Sequence, residues 1–103
     1  MNERNFVFNG QSLRLSVRDD ADESVVNEIF KFREYRRAEE VIAGAKDPII
    51  DAGAHAGFFC AYARTFNNKV KIYAVEPEEN NLLENVLYEL RLQYVNKVKG
   101  EAK

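Results

Sequence analysis

Residues 5–18, NFVFNGQSLRLSVR, alternate apolar and polar positions on either side of Asn9-Gly10, a dipeptide that tolerates the positive φ angles of a two-residue turn. The pattern predicts a β-hairpin, with Phe6 and Phe8 on one face of its first strand and Leu13, Leu15 and Val17 on one face of its second. The period then changes. In DDADESVVNEIFKFREYRRAEEVIAGAKD, Val25, Val26, Ile29 and Phe30 stand at helical spacing behind a group of acids. A helix N-terminus favours such acids, so a helix is expected from near Asp22. A second helical stretch carries Ala38, Val41 and Ile42 and is expected to end at Gly44.

Pro48 resets the chain, and IIDA, residues 49–52, is too short and too apolar for anything but a buried strand. A helix follows from about Gly57 to Phe66, with Phe58, Phe59, Tyr62, Ala63 and Phe66 on one arc. Asn67-Asn68 turns the chain into a second buried strand, VKIYAVE (70–76), which ends in an acid. Pro77 then opens the loop to a helix with Leu82, Leu83, Val86, Leu87 and Leu90 on its apolar face, and a last strand is expected around NKVKG (96–100). Strand, helix, strand, helix over residues 48–93 is the βαβ pattern, whose crossover requires parallel strands. The fold class is therefore α/β.

Length bounds this picture to one domain: a chain of 103 residues buries about two-thirds of the surface it exposes when unfolded. The 46% hydrophobic and 12% aromatic content is that of a chain with a packed core. Fifteen Lys and Arg against seventeen Asp and Glu give a net charge of -2, the wrong sign for a phosphate-backbone binder, so no nucleic-acid partner is expected. Apolar runs are far shorter than the ~20 residues that span a bilayer, and the N-terminus carries charge without an apolar stretch behind it. The expected setting is cytoplasmic, with no membrane partner. One Cys and one His supply too few ligands for a structural zinc site, so no metal is expected. The cluster Lys31, Arg33, Arg36 and Arg37, interleaved with Glu34, Glu39 and Glu40, reads as a solvated helix face, Tyr35 beside it as packing, and Cys60, off the apolar arc, as a plain small residue.

The chemistry-bearing stretch is IIDAGAHAGFF, residues 49–59. Ligands of open α/β sheets bind beyond the carboxyl ends of the strands, where Asp51 to Gly57 must lie. Gly53 allows a tight turn and a close-lying ligand, and Gly57 allows strand and helix to approach. The order Asp51-x-Gly53-x-x-x-Gly57 departs from the dinucleotide G-x-G-x-x-G. A carboxylate at the strand end would repel a pyrophosphate at a cost of several kcal/mol in a partly desolvated cleft, so a ligand with a positive centre fits better. Glu76, at the tip of the neighbouring strand, can accept from both hydroxyls of a ribose through bonds of roughly 1.5–3 kcal/mol each. Together the two acids point to a cationic nucleoside such as S-adenosylmethionine.

DPIIDAGAHAGFFCAYA followed by IYAVEPEENNLLENV, with the lead-in DESVVNEIFKFREYRRAEEVI, resembles the FkbM-type family of S-adenosylmethionine-dependent methyltransferases over about residues 19–90. The resemblance implies a Rossmann-like methyltransferase half-sheet (βαβα) preceded by the hairpin (1–18) and a helical lead-in (19–46). It also implies S-adenosylmethionine as cofactor and methyl transfer to a hydroxyl or carboxyl of a small molecule or sugar. In it Asp51 and the backbone of Gly53 and Ala54 face the methionyl end, Gly57 opens the helix, Glu76 binds the ribose, Pro77 shapes the loop and Glu101 lies near the adenine. His55, where the family more often has Asn, receives no role, and the region of Tyr35 lies near the cofactor cleft in the resembled family. Nothing matches the later strands that position an acceptor, so residues 1–103 read as the cofactor-binding half, inactive alone. A non-enzymatic nucleoside-binding or assembly module is the alternative, and a nicotinamide dehydrogenase fragment a distant third. A bare edge and a wet face of Ile49, Val70, Ile72 and Ala74 would then favour a homodimer.

Overall fold

A computed structural model describes residues 2–53, 56–76 and 92–96, with Glu76 and Leu92–Asn96 described by their backbone alone. The chain is a mixed α/β structure with two small sheets. Strands β1 (Asn2–Phe8) and β2 (Gln11–Val17) pair antiparallel, Phe8 opposite Gln11, around a turn in which Asn9 and Gly10 take φ of 50° and 76°. These are the angles the Asn-Gly pair tolerates, so the turn chemistry sets the register. Leu13, Leu15 and Val17 are buried and Phe6 and Phe8 pack against the core.

Helix α1 (Asp20–Val26) begins two residues earlier than expected because Asp19 is its cap, accepting from the Asp22 amide at 2.9 Å. The buried Asp22 carboxylate is held by Arg18, whose Nε and Nη2 donate at 2.7 and 2.9 Å. The lead-in is not one amphipathic helix. It widens into a π-helical segment, Asn27–Lys31, and then breaks at Arg33, a non-glycine residue with φ of 55°. It resumes as a 3₁₀ turn (Arg36–Ala38) and α2 (Glu39–Gly44). Ile42 enters the core, whereas Val41 is 74% exposed, contrary to the expected apolar face: a helix of six residues is too short to bury a broad stripe. Gly44 is the last helical residue, and the helix is ended by extended Ala45 (φ -65°, ψ 135°), not by a left-handed glycine.

Strands β3 (Ile49–Ala52), β4 (Ile72–Glu76) and β5 (Leu92–Asn96) form a parallel sheet in the order β3-β4-β5. A third strand is present at Leu92–Asn96; of the strand expected around NKVKG, residues 97–100 lie outside the described residues. Helix α3 (Phe58–Phe66) connects β3 to β4, as the βαβ pattern requires. The helix expected over 82–90 lies outside the described residues. Ile72 and Ala74 are fully buried and Ile49 and Val70 half-buried, so the face expected to be wet is covered; on the opposite face Tyr73 and Val75 are half-buried and Ile50 is 70% exposed. An apolar run shows that a strand wants cover, not which side receives it.

Helix α3 is buried around nearly its whole circumference, and its two sides do different work. Tyr62 is the aromatic hub, with ring centroids of Phe8, Phe30, Phe59 and Phe66 at 5.2–5.9 Å. Its hydroxyl donates to Glu39 Oε2 at 2.5 Å, and both Glu39 oxygens accept from Arg33 Nη2 at 2.6 Å. Arg33 also lies over the Phe8 ring at 5.4 Å. Lys31, Glu34, Arg36, Arg37 and Glu40 are exposed, as a solvated face requires, but Arg33 and Glu39 are half-buried and close the polar end of the aromatic core. Toward the sheet, Cys60 reaches Asp51 on β3, and Ile72 and Ala74 of β4 belong to the same buried core. At the C-terminus of α3 the orphan carbonyl of Thr65 accepts from Asn9 Nδ2 at 2.7 Å and Gln11 Nε2 at 3.1 Å, docking the hairpin turn onto the helix end. Buried Asn67 ties the next loop to α2: its Nδ2 donates to the Ile42 and Ala45 carbonyls at 2.9 and 3.0 Å, and its Oδ1 accepts from the Lys69 and Val70 amides at 2.9 and 3.2 Å.

Candidate functional site

Four of the six residues singled out from the sequence come to the carboxyl ends of β3 and β4. Asp51 is half-buried on β3, opposite Ala74. Gly53 leaves the strand with φ of 74°, a conformation that disfavours a side chain whatever the space. The space is in fact open, since a Cβ there would meet nothing within 4 Å. Its amide donates to the Val75 carbonyl at 2.7 Å, which puts the backbone of Glu76, the last residue of β4, beside the turn. Gly57 caps α3 with φ of 90° and is buried, its carbonyl accepting from the Ala61 amide at 3.0 Å. Its role is to turn the chain into the helix, not to line a cavity. Ala54 and Glu101 lie outside the described residues, as do His55 and Pro77.

Beside Asp51 and Gly53 is a cleft of about 190 Å³, lined by Val25, Ile29, Tyr35, Ala52, Phe58 and Phe59 as well. Pockets that enclose a whole small molecule measure roughly 300–1,000 Å³, so this cleft has room for one end of such a molecule, with open space over Gly53 beside it. Its wall combines one carboxylate with aromatic rings. Such a wall suits an organic cation, by charge at the acid and by the ring quadrupole at the faces.

Two residues join this site to which the residue pattern alone gave no role there, although the family resemblance puts the region of Tyr35 near the cleft. Cys60, read as a plain small residue, is fully buried, and its thiol donates to Asp51 Oδ2 at 3.2 Å. Burial first, then the charge and hydrogen bond of Asp51, push that thiol far above its ordinary pKa. It stays protonated, a donor that orients the carboxylate. Tyr35, read as packing, stands edge-on to Phe59 with centroids 5.0 Å apart and remains 41% exposed at the cleft. Its phenol is raised by burial and then by the charges of Glu34, Asp51 and Glu28. The nearest sequence signal for Cys60 was its place off the apolar arc of α3; on a helix with two buried sides, that is the side toward the sheet.

Among the described residues no group of three or more His, Cys, Asp or Glu is placed to hold a metal ion, and no helix is long and apolar enough to cross a membrane. Comparison of the chain with protein-family models, with curated proteins and with solved structures gives no match in any of the three.

Proposed function

We propose that this chain binds S-adenosylmethionine in a Rossmann-like half-sheet and is the cofactor-binding part of a methyltransferase of the FkbM type. The observation that carries the reading is the meeting of Asp51, Gly53 and the end of β4 at Glu76 beside a small aromatic and acidic cleft. The carboxyl ends of adjacent parallel strands are where open α/β sheets take their ligands. In this assignment Asp51 holds the methionyl end, its carboxylate steadied by the Cys60 thiol. The ligand backbone crosses Gly53, where a β-carbon would intrude on it, and Glu76 accepts from the ribose. The order β3-β4-β5 with α3 between the first two strands is the order such a half-sheet needs. Ala54 and Glu101 complete the proposed contacts, at the methionyl and adenine ends.

Calorimetric titration with S-adenosylmethionine, its demethylated product and NAD tests this. Binding of the first two and not of NAD is expected. Glu76→Ala weakens binding by about tenfold to a hundredfold, through loss of one or two charge-assisted bonds; unchanged affinity removes Glu76 from the site. Methyl transfer, to a hydroxyl or carboxyl of a small molecule or sugar, needs an acceptor held about 3 Å from the methyl group in a water-poor site. The chain alone is therefore expected to transfer no methyl group at enzyme-like rates, and incorporation of labelled methyl into a small-molecule panel would show otherwise.

A second reading, a non-enzymatic nucleoside-binding or assembly module, is favoured by one observation: Ile50 is 70% exposed on β3, which has β4 as its sole neighbour among the described residues. An apolar edge of this kind invites pairing, and a homodimer through β3 is the form it would take. Failure of all three nucleotides to bind, with dimerisation intact, would favour this module.

A further inference from the structure

The segment between α1 and α2 departs three times from regular structure. It widens to a π-helix at Asn27–Lys31, turns left-handed at Arg33, and resumes only at the 3₁₀ turn after Tyr35. A π-helical turn and a positive φ on a long side chain each cost stability, and such departures gather where a side chain is being aimed at a ligand. The cost at Arg33 is offset by its paired bonds to Glu39 and its stacking on Phe8, so the bend is firmly held. What the bend delivers is Tyr35. Its ring reaches the cleft across from Asp51, braced by Phe59 and by Tyr62 at 6.2 Å.

Resting on the assignment of S-adenosylmethionine to this cleft, we infer that Tyr35 is a specificity-determining residue: its ring stacks against the sulfonium and distinguishes the charged cofactor from the neutral thioether it becomes. The two ligands differ at that atom by one methyl group and one positive charge. The ring quadrupole attracts the cation more strongly than it attracts the polarizable thioether. Asp51, within electrostatic reach of Tyr35, reinforces the choice of charge, and apolar Val25 and Ile29 line the same cleft. Through this ring, loss of the methyl group lowers the affinity for what remains, so that the spent ligand leaves more readily than it would from a cleft without the aromatic wall.

The test is titration of the full chain, wild type and variants, with S-adenosylmethionine and with its demethylated product. If wild type binds neither, the cofactor assignment falls and this inference with it. If it binds both, Tyr35→Leu is expected to lower affinity for the sulfonium on the order of tenfold more than for the thioether, while Tyr35→Phe, which keeps the ring face, holds the ratio within about twofold of wild type. Equal losses for the two ligands in Tyr35→Leu, or no loss, overturn the inference and leave the cofactor assignment standing. Because Tyr35 packs on Phe59, a measurement on the wild type stands beside the variant: with ¹³C-methyl S-adenosylmethionine bound, nuclear Overhauser contacts join the S-methyl protons to the Tyr35 ring. Their absence overturns the inference whether or not the leucine variant folds.

Discussion

The two sides of α3 are finished to different degrees. Toward the hairpin, Tyr62 sits among four phenylalanine rings and its hydroxyl is capped by Glu39 and Arg33, so both the apolar body and the polar tip of the side chain are satisfied. Across the sheet, no comparable aromatic cluster stands among the described residues. Ile72 and Ala74 are buried, but Ile50 on the other face is 70% exposed. A closed aromatic core packs on one side of α3, while among the described residues the β3 end keeps exposed positions at Ile50, Ala52 and Gly53. Rigidity is supplied from one side and access from the other.

The largest way to break that contrast is at the hub. Tyr62→Ala removes a fully buried ring and the donor to Glu39, and about 3–5 kcal/mol of stability should be lost in urea unfolding. If the loss is under about 1 kcal/mol, the aromatic side is not the foundation. Next is Asn67→Ala, which strips partners from two carbonyls and two amides; about 2–3 kcal/mol is expected from the unsatisfied groups. Asp51→Asn should separate site from scaffold. Cofactor affinity drops at least about tenfold, while the urea midpoint stays close to wild type because the amide keeps an oxygen to accept from the Cys60 thiol. On the face where Ile50 is exposed, Ile50→Lys should change stability by less than about 0.5 kcal/mol yet convert the proposed dimer to a monomer in sedimentation equilibrium. A variant still dimeric would place the interface elsewhere.

The smallest effect expected is a pH dependence on the aromatic side. Burial raises the Glu39 carboxyl, but the hydrogen bonds from Arg33 and Tyr62 and the charges of Arg33 and Arg36 outweigh it, and the net shift is below the ordinary value. A carboxyl depressed in the folded state stabilises fully above its unfolded pKa, and this contribution is lost as pH falls from about 4.5 through the folded value. Glu39→Gln should flatten the acid limb of the stability profile and leave its slope above pH ~6 unchanged. An unaltered acid limb would show that the Arg33 pair does not set it.

What could be read from the sequence follows the range of the interactions concerned. Asn9-Gly10 is a local signal, and the hairpin it dictates is present with its expected inward residues. The aromatic arc of α3 is equally local, and so is the acid and two glycines that bring a strand end to a helix start. Cys60 and Asp51 are nine positions apart and touch only after helix and strand have stacked. Arg33 and Glu39 are six apart, a spacing at which residues on a regular helix do not face each other, and a solvated face was the natural expectation. The bend at Arg33 that brings them together is itself held by Phe8, from the hairpin. Tyr35 reaches the cleft by the same long-range route, and no periodicity could announce it.

Asn67 has a consequence for how the molecule opens. The Lys69 and Val70 amides are hydrogen-bonded to the side-chain oxygen of a residue whose amide nitrogen is clamped to the end of α2, so neither proton can reach solvent by a local fluctuation of the turn alone. Exposing them requires the α2 terminus and the entry to β4 to part together. In native-state hydrogen exchange these two surface-loop amides should behave as members of a cooperative unit, exchanging with the helices and not with the exposed turn they occupy.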